Sequence, residues 1–270
     1  MNCKNCSFLI QENDNFCPSC GGKVIRNRLT IKNLFEHFSE QFLNYDNKFL
    51  QTFIRLFTKP EDVIEGYING ARKKYVNVIS FFAISLTIAG LQLYLINKFF
   101  PEIMDLSSLT TEGTEEFQKK NLDFMQEYQS IIMMFYVPLY ALMSKIVFFN
   151  LKKFNYTEHL VIFMYILSHV TIISAIITLF AALFGLTIGT LAIVFTLPYQ
   201  IIYSAYCLKR LFGLSLKAII LRTILFLVLL GILMLIIAIV GAVVAIVFKD
   251  SEFMQSLIEA QKAAKEASGN

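Results

Sequence analysis

Four cysteines, Cys3, Cys6, Cys17 and Cys20, stand in two C-x-x-C pairs at the head of the chain. A C-x-x-C turn delivers two thiolates from one tight loop, and two such turns supply the four soft ligands of a tetrahedral zinc site. The intervening stretch, Ser7 to Phe16, suits a short hairpin whose turn chemistry comes from Asn13, Asp14 and Asn15. Gly21 and Gly22 let the backbone approach the second pair of sulfurs. Residues 1–24 therefore read as a zinc ribbon holding a structural Zn2+. Two disulfides are the alternative and would require an oxidising compartment. With four cysteines the coordination sphere is closed, so no position is left for a catalytic water. A module this small buries almost no core, and metal binding should supply folding free energy on the order of 10 kcal/mol. Lys23, Arg26 and Arg28 follow the ribbon without interleaved aromatics, a thin footprint that argues against nucleic acid as partner.

Beyond the ribbon, the residues able to do chemistry are few. His169 falls about nine residues into a long apolar run, close to mid-bilayer, and an ionisable group there is a functional candidate. Lys145, near the cytosolic end of another run, is expected to snorkel to the headgroups, and Arg222 is similar. His169 and Lys145 together form the possible intramembrane polar site. Glu158 and His159 should be solvated at the membrane edge, and Cys207 reads as a small buried hydrophobe. There is no H-E-x-x-H, no G-x-S-x-G and no phosphate-binding glycine loop, and no pair of intramembrane carboxylates, so the chain is not expected to be an enzyme.

These residues must be positioned by a membrane protein. Of 270 residues 56% are hydrophobic and 16% charged, where a soluble domain is nearer a quarter charged. Five spans are expected: Val76 to Ile96, Ile131 to Phe149, Leu160 to Phe184, Leu186 to Tyr206 and Ala218 to Phe248. The fold class is all-α and polytopic, with the ribbon (1–24), an amphipathic connector (25–75), the five-helix domain (76–248), an acidic external loop (101–128) and an exposed tail (249–270). Arg72, Lys73 and Lys74, then Lys152 and Lys153, then Lys209, Arg210, Lys217 and Arg222 agree on one orientation, with the N-terminus cytosolic and the C-terminus external. A polar start without an apolar h-region agrees with a cytosolic N-terminus.

The connector carries an aromatic stripe, from Ile31 and Phe35 through Phe49, Phe53 and Phe57, at steps of three and four. It should lie at the headgroup level or pack on the cytosolic end of the bundle. Thr58 to Glu61 matches a capping box with Pro60 in the first turn of a second helix, and Gly70 is placed to end that helix. Tyr75 should mark the membrane interface.

Several motifs fall in order: Cys3 to Cys6, Phe16 to Gly22, Thr52 to Pro60, Tyr67 to Tyr75 and Glu158 to Val161. In that order they resemble an uncharacterised bacterial family of zinc-ribbon membrane proteins, the domain of unknown function 3667. The chain departs from that pattern at Gly22, often Gln in the family, and at Asn77 and Val78, near an expected Pro. The resemblance implies an architecture in a bacterial inner membrane and no activity. A weaker topological similarity is to Yip1-type proteins, which also have a cytosolic N-terminus and five spans, and fold alone does not fix function.

Two functions compete. One is a membrane-anchored binding or organising protein, whose ribbon and connector recruit a cytosolic protein while the bundle meets the lipid bilayer. The other is a small-solute or ion transporter, with His169 and the proline-containing spans lining a path, though no internal repeat supports it.

Overall fold

Asn77 starts the first span. Its side chain accepts the Ile79 amide at 3.0 Å, so the helix begins at Val78 and runs to Phe99. The computed structural model describes residues 2–3, 5–11, 13–21, 24, 48–104, 124 and 127–247. The connector's stripe before Phe49, most of the acidic loop and the tail from 249 lie outside the described residues. The chain divides into two units, Met1–Asn47 and Lys48–Asn270.

In the second unit the elements are α1 (Lys48–Thr58), α2 (Pro60–Ile68) and five apolar helices long enough to cross a membrane. These are α3 (Val78–Phe99), α4 (Gln129–Val147), α5 (Tyr156–Ala182), α6 (Ile188–Phe212) and α7 (Leu216–Val247). Among the described residues five such helices are present, as expected, and their ends move for local reasons. Asn155 and Glu158 form a reciprocal capping box, which starts α5 at Tyr156, four residues before the expected Leu160. Gly213, at φ 63°, ends α6 well past Tyr206. Within α6, Pro198 has no N–H to give to residue 194, and the helix widens into a π turn over Ala192–Thr196, in which the Leu197 amide reaches Ala192.

Between spans, dispersion and hydrogen bonds hold the helices, because lipid tails are as apolar as leucine. Small residues accordingly sit at the contacts. Ser85 and Ala89 of α3, Ala141 and Ser144 of α4, and Ala175 of α5 are buried. The Tyr165 hydroxyl donates to the Val76 carbonyl at 2.8 Å, and Ile96 packs with Ala182 at the far end, so α3 and α5 run side by side.

The α1–α2 hairpin is built into this bundle. Leu56, Val63 and Ile64 are fully buried in the main core. Tyrosines of α6 satisfy the last carbonyls of α1, the buried one of Leu56 and the exposed ones of Phe57 and Thr58. Tyr203 donates to the Leu56 carbonyl at 3.1 Å, and Tyr206 donates to those of Phe57 at 3.0 Å and Thr58 at 3.2 Å. At the other side Thr52 accepts the Val76 amide at 3.0 Å. The expected capping box at Thr58 does not form. Thr58 is the last residue of α1, with its hydroxyl turned back to Ile54, and Lys59 precedes Pro60 without a side-chain cap. Glu61 is drawn instead to Arg210. Gly70 does end α2: its amide reaches Tyr67 and the Ala71 amide reaches Gly66, the paired bonds of a Schellman motif, with Gly70 at φ 100°.

Replacing Tyr203 by Phe removes the donor for the buried Leu56 carbonyl and keeps the ring. The expected cost is about 1–3 kcal/mol, as for any buried acceptor left unpaired. Tyr206→Phe should cost less, because that hydroxyl is exposed. Denaturant unfolding in detergent of the two variants beside wild type measures both.

Candidate functional site

The four cysteines converge. Cys3 and Cys20 Sγ lie 3.7 Å apart, Cys6 and Cys17 Sγ lie 3.6 Å apart, and all four sulfurs fall within 4.8 Å of one another. A tetrahedron with metal–sulfur bonds of about 2.3 Å has edges of about 3.8 Å. A disulfide would need about 2.05 Å, far shorter than either close pair. The close pairs join one knuckle to the other, as a shared metal requires and a redox C-x-x-C pair does not.

The two knuckles share one backbone design. The Ser7 amide donates to the Cys3 carbonyl and the Gly21 amide to the Cys17 carbonyl, each at 2.8 Å. The residue after each second cysteine is left-handed, Ser7 at φ 60° and Gly21 at φ 69°. The Asn5 amide points at Cys3 Sγ at 3.4 Å, and that hydrogen bond is the first cause holding the Cys3 thiol below its ordinary pKa, toward the thiolate a metal needs. Between the knuckles, Asp14 closes the turn by accepting the Gln11 amide at 3.0 Å and donating its own amide to the Gln11 carbonyl, so the turn sits at Gln11–Asp14. The buried core here is Cys3, Ile10 and Cys17, with Val24 packed against it. Two of its three members belong to the cysteine quartet, so a metal held there would be continuous with the core, and four thiols can fill every position of a tetrahedron.

The membrane unit does not assemble the second candidate site. His169 is fully buried, but its neighbours are rings: Phe57 at 4.2 Å, Tyr203 at 4.6 Å and Phe53 at 4.7 Å between centroids. Neither ring nitrogen has a hydrogen-bond partner among the described residues. Tyr165 reaches Val76 just ahead of α3, and His169 lies one turn further along, at the middle of α5. Lys145 is elsewhere, donating to the Phe154 carbonyl at 2.6 Å. Tyr156 and His169 are about 20 Å apart along the α5 axis, which keeps the two candidates in separate layers. His159 is buried between Phe154 and Phe212 and is not solvated, because α5 begins early enough to carry it under those rings. Glu158 is the capping partner of Asn155. Cys207 is buried, as expected.

Tyr75 is buried as well, covered by protein, and its hydroxyl donates to Asp62 at 2.5 Å. It belongs to a set of contacts not anticipated from the sequence. Three acids of α2 each hold a cation from a different boundary: Glu61 with Arg210, Asp62 with Lys74 at 2.7 Å, and Glu65 with Lys153 at 3.0 Å. Lys74 first, then Tyr75, hold the Asp62 carboxyl below its usual range, and Arg210 does the same for Glu61. Acids at 61 and 65 are one helical turn apart, and each basic cluster had been read only as an orientation signal, so the pairing was available as a charge match.

The knuckle geometry makes two opposite substitutions informative. Around Gly21 there is open space for a Cβ, but its left-handed backbone charges an alanine roughly 1 kcal/mol. Ser7 already bears that strain. Gly21→Ala should therefore weaken metal binding about fivefold and Ser7→Gly strengthen it by a similar factor, read by competition with a chromophoric zinc chelator.

No curated protein and no solved structure matches the chain. Residues 46–90 match the model of one family, so the similarity covers α1, α2 and the first half of α3 and stops short of the cysteine knuckles. Over that segment the chain is similar to the family described as Protein of unknown function (DUF3667), the one its motifs resemble, and the similarity assigns no activity.

Proposed function

We propose that this chain is a membrane-anchored organising protein whose tetrathiolate module holds zinc and docks a cytosolic protein. The observation that carries the reading is the sulfur cluster, whose 3.6 and 3.7 Å edges fit a closed tetrahedral metal and leave no open position for chemistry. Zinc is the favoured ion over iron on a four-thiolate site by the general affinity order. A closed site with a minimal core is a scaffold, and what it offers a partner is its surface, where Phe8, Leu9 and Phe16 are exposed.

The orientation, N-terminus in the cytosol and C-terminus outside, draws support from where the cations act. Lys74, Lys153 and Arg210 all engage α2, so the basic boundaries counted for the inside share one end of the bundle. A bacterial inner membrane fits the family resemblance. A solute path through His169 draws no support from a ring enclosed by Phe53, Phe57 and Tyr203.

The test is crosslinked affinity purification from native membranes, wild type beside Cys17→Ser, with the metal content of each measured by mass spectrometry. One zinc per chain is expected in the wild type and none in the variant, together with at least fivefold loss of a soluble protein from the crosslinked set at equal membrane yield. An unchanged set of partners after loss of the metal contradicts docking through the ribbon.

A further inference from the structure

A cavity of about 500 Å³ lies between α3, α4, α5 and α6, with Leu230 and Met234 of α7 on one wall. That volume is in the range of ligand pockets, which are mostly apolar with a few placed polar groups. Its polar groups come from several helices. Thr171, Ser174 and Thr178 form a hydroxyl stripe along one face of α5 at steps of three and four. Gln92, Gln129 and Gln200 add a carboxamide each from α3, α4 and α6. The Ser174 hydroxyl is buried and has no partner among the described residues, and Gln200 reaches only the Tyr140 hydroxyl, at 3.5 Å. A buried hydroxyl without a partner costs stability unless something bonds to it.

Among the described residues no acid, base or histidine lines the cavity. An ionised ligand would meet no counter-charge in surroundings where charge is expensive. The occupant is therefore uncharged and brings several hydrogen-bonding groups. The other helices add apolar surface, with Met133 of α4 and Leu230 and Met234 of α7, and thioether side chains adapt their shape to flexible chains. All of these residues lie within the spans, so the adjoining phase is the acyl region of the bilayer. From Gln129 to Tyr140 the cavity follows α4 for about 16 Å, enough for a glycerol-sized head and part of a chain. The π turn of α6 supplies Ala192 and Thr196 to the same wall, and such turns recur at functional sites.

We propose that this cavity binds a neutral amphiphile with a hydroxylated head, of the acylglycerol class, with its head on the Thr171–Ser174–Thr178 stripe. Charged phospholipids are excluded from it by the absence of a counter-ion.

The test uses the full chain in phosphatidylcholine nanodiscs and a monooleoylglycerol probe bearing a diazirine and an alkyne, with a phosphatidylglycerol probe of the same chain beside it. Saturable labelling of peptides containing Met133 or Met234 is expected, competed by unlabelled monooleoylglycerol and at least fivefold weaker with the phosphatidylglycerol probe. Ser174→Ala leaves the volume and removes one hydroxyl, and Ser174→Ala with Thr178→Val should cut labelling at least fivefold. Thr87→Val, which removes an exposed hydroxyl of α3 bonded to its own helix, should leave labelling unchanged. Ser174→Ala alone should melt no lower than wild type without the probe, since it removes an unpartnered buried hydroxyl, yet gain less on adding it, because only the ligand uses that hydroxyl. Equal labelling by both probes, labelling indifferent to the stripe, or displacement by free glycerol at the same concentration overturns the assignment.

Discussion

A peptide carbonyl at the end of a helix needs a donor, and in or near a bilayer water does not supply it. The membrane unit is arranged around that requirement. Tyrosines of α6 donate to the last carbonyls of α1, Arg222 of α7 donates to Val147 at the end of α4 at 2.7 Å, and Lys153 donates to Leu211 near the end of α6 at 2.5 Å. Lys145 does the same for Phe154, just before α5. Cations at helix C-termini also meet the negative end of the helix dipole. The ends of α1, α4 and α6 are thereby met by side chains from elsewhere in the chain, which ties each to a neighbour.

The hairpin of α1 and α2 is where these bonds concentrate. Its acids hold Lys74, Lys153 and Arg210, which stand at three different boundaries of the spans. Singly, half-exposed ion pairs contribute little, about 0–1 kcal/mol each. Together they orient one short helix against three others, and the aromatic face of α1 then closes over His169. The segment shared with the family of unknown function begins just before α1 and ends inside α3. The matched segment therefore covers the sequence of the α1–α2 hairpin, which clasps the bundle, and the first half of α3. The His169 box follows from that hairpin: a buried imidazole is held by rings because α1 brings Phe53 and Phe57 there.

Much of this was legible because it was local. The cysteine quartet could be read because its ligand spacing lies within a few residues, and the spans because hydropathy over some twenty residues is unambiguous. Helix starts were misjudged where a polar cap outweighed hydropathy, as at Asn155 and Asn77. Tyr75 and His159 were placed at the membrane surface because a sequence shows that an aromatic is near a boundary and not which ring or carboxylate will cover it. Lys145 and His169 looked like one site only because both were polar within apolar runs; Lys145 is held by the Phe154 carbonyl and His169 by the rings of α1 and α6, partners that no periodicity links to them. The hydroxyl stripe on α5 was readable at its three- and four-residue steps, but the glutamines that complete the cavity lie on other helices.

Burial of α1 is the feature on which the rest turns, and hydrogen exchange of the full-length protein in nanodiscs measures it directly. The amides of residues 52–58 should be protected to the same degree as those of 165–172 in α5, since Thr52 and Leu56 are as buried as Tyr165 and Ile166. Exchange of 52–58 within seconds, as for a helix lying loosely on the headgroups, would contradict the clasp.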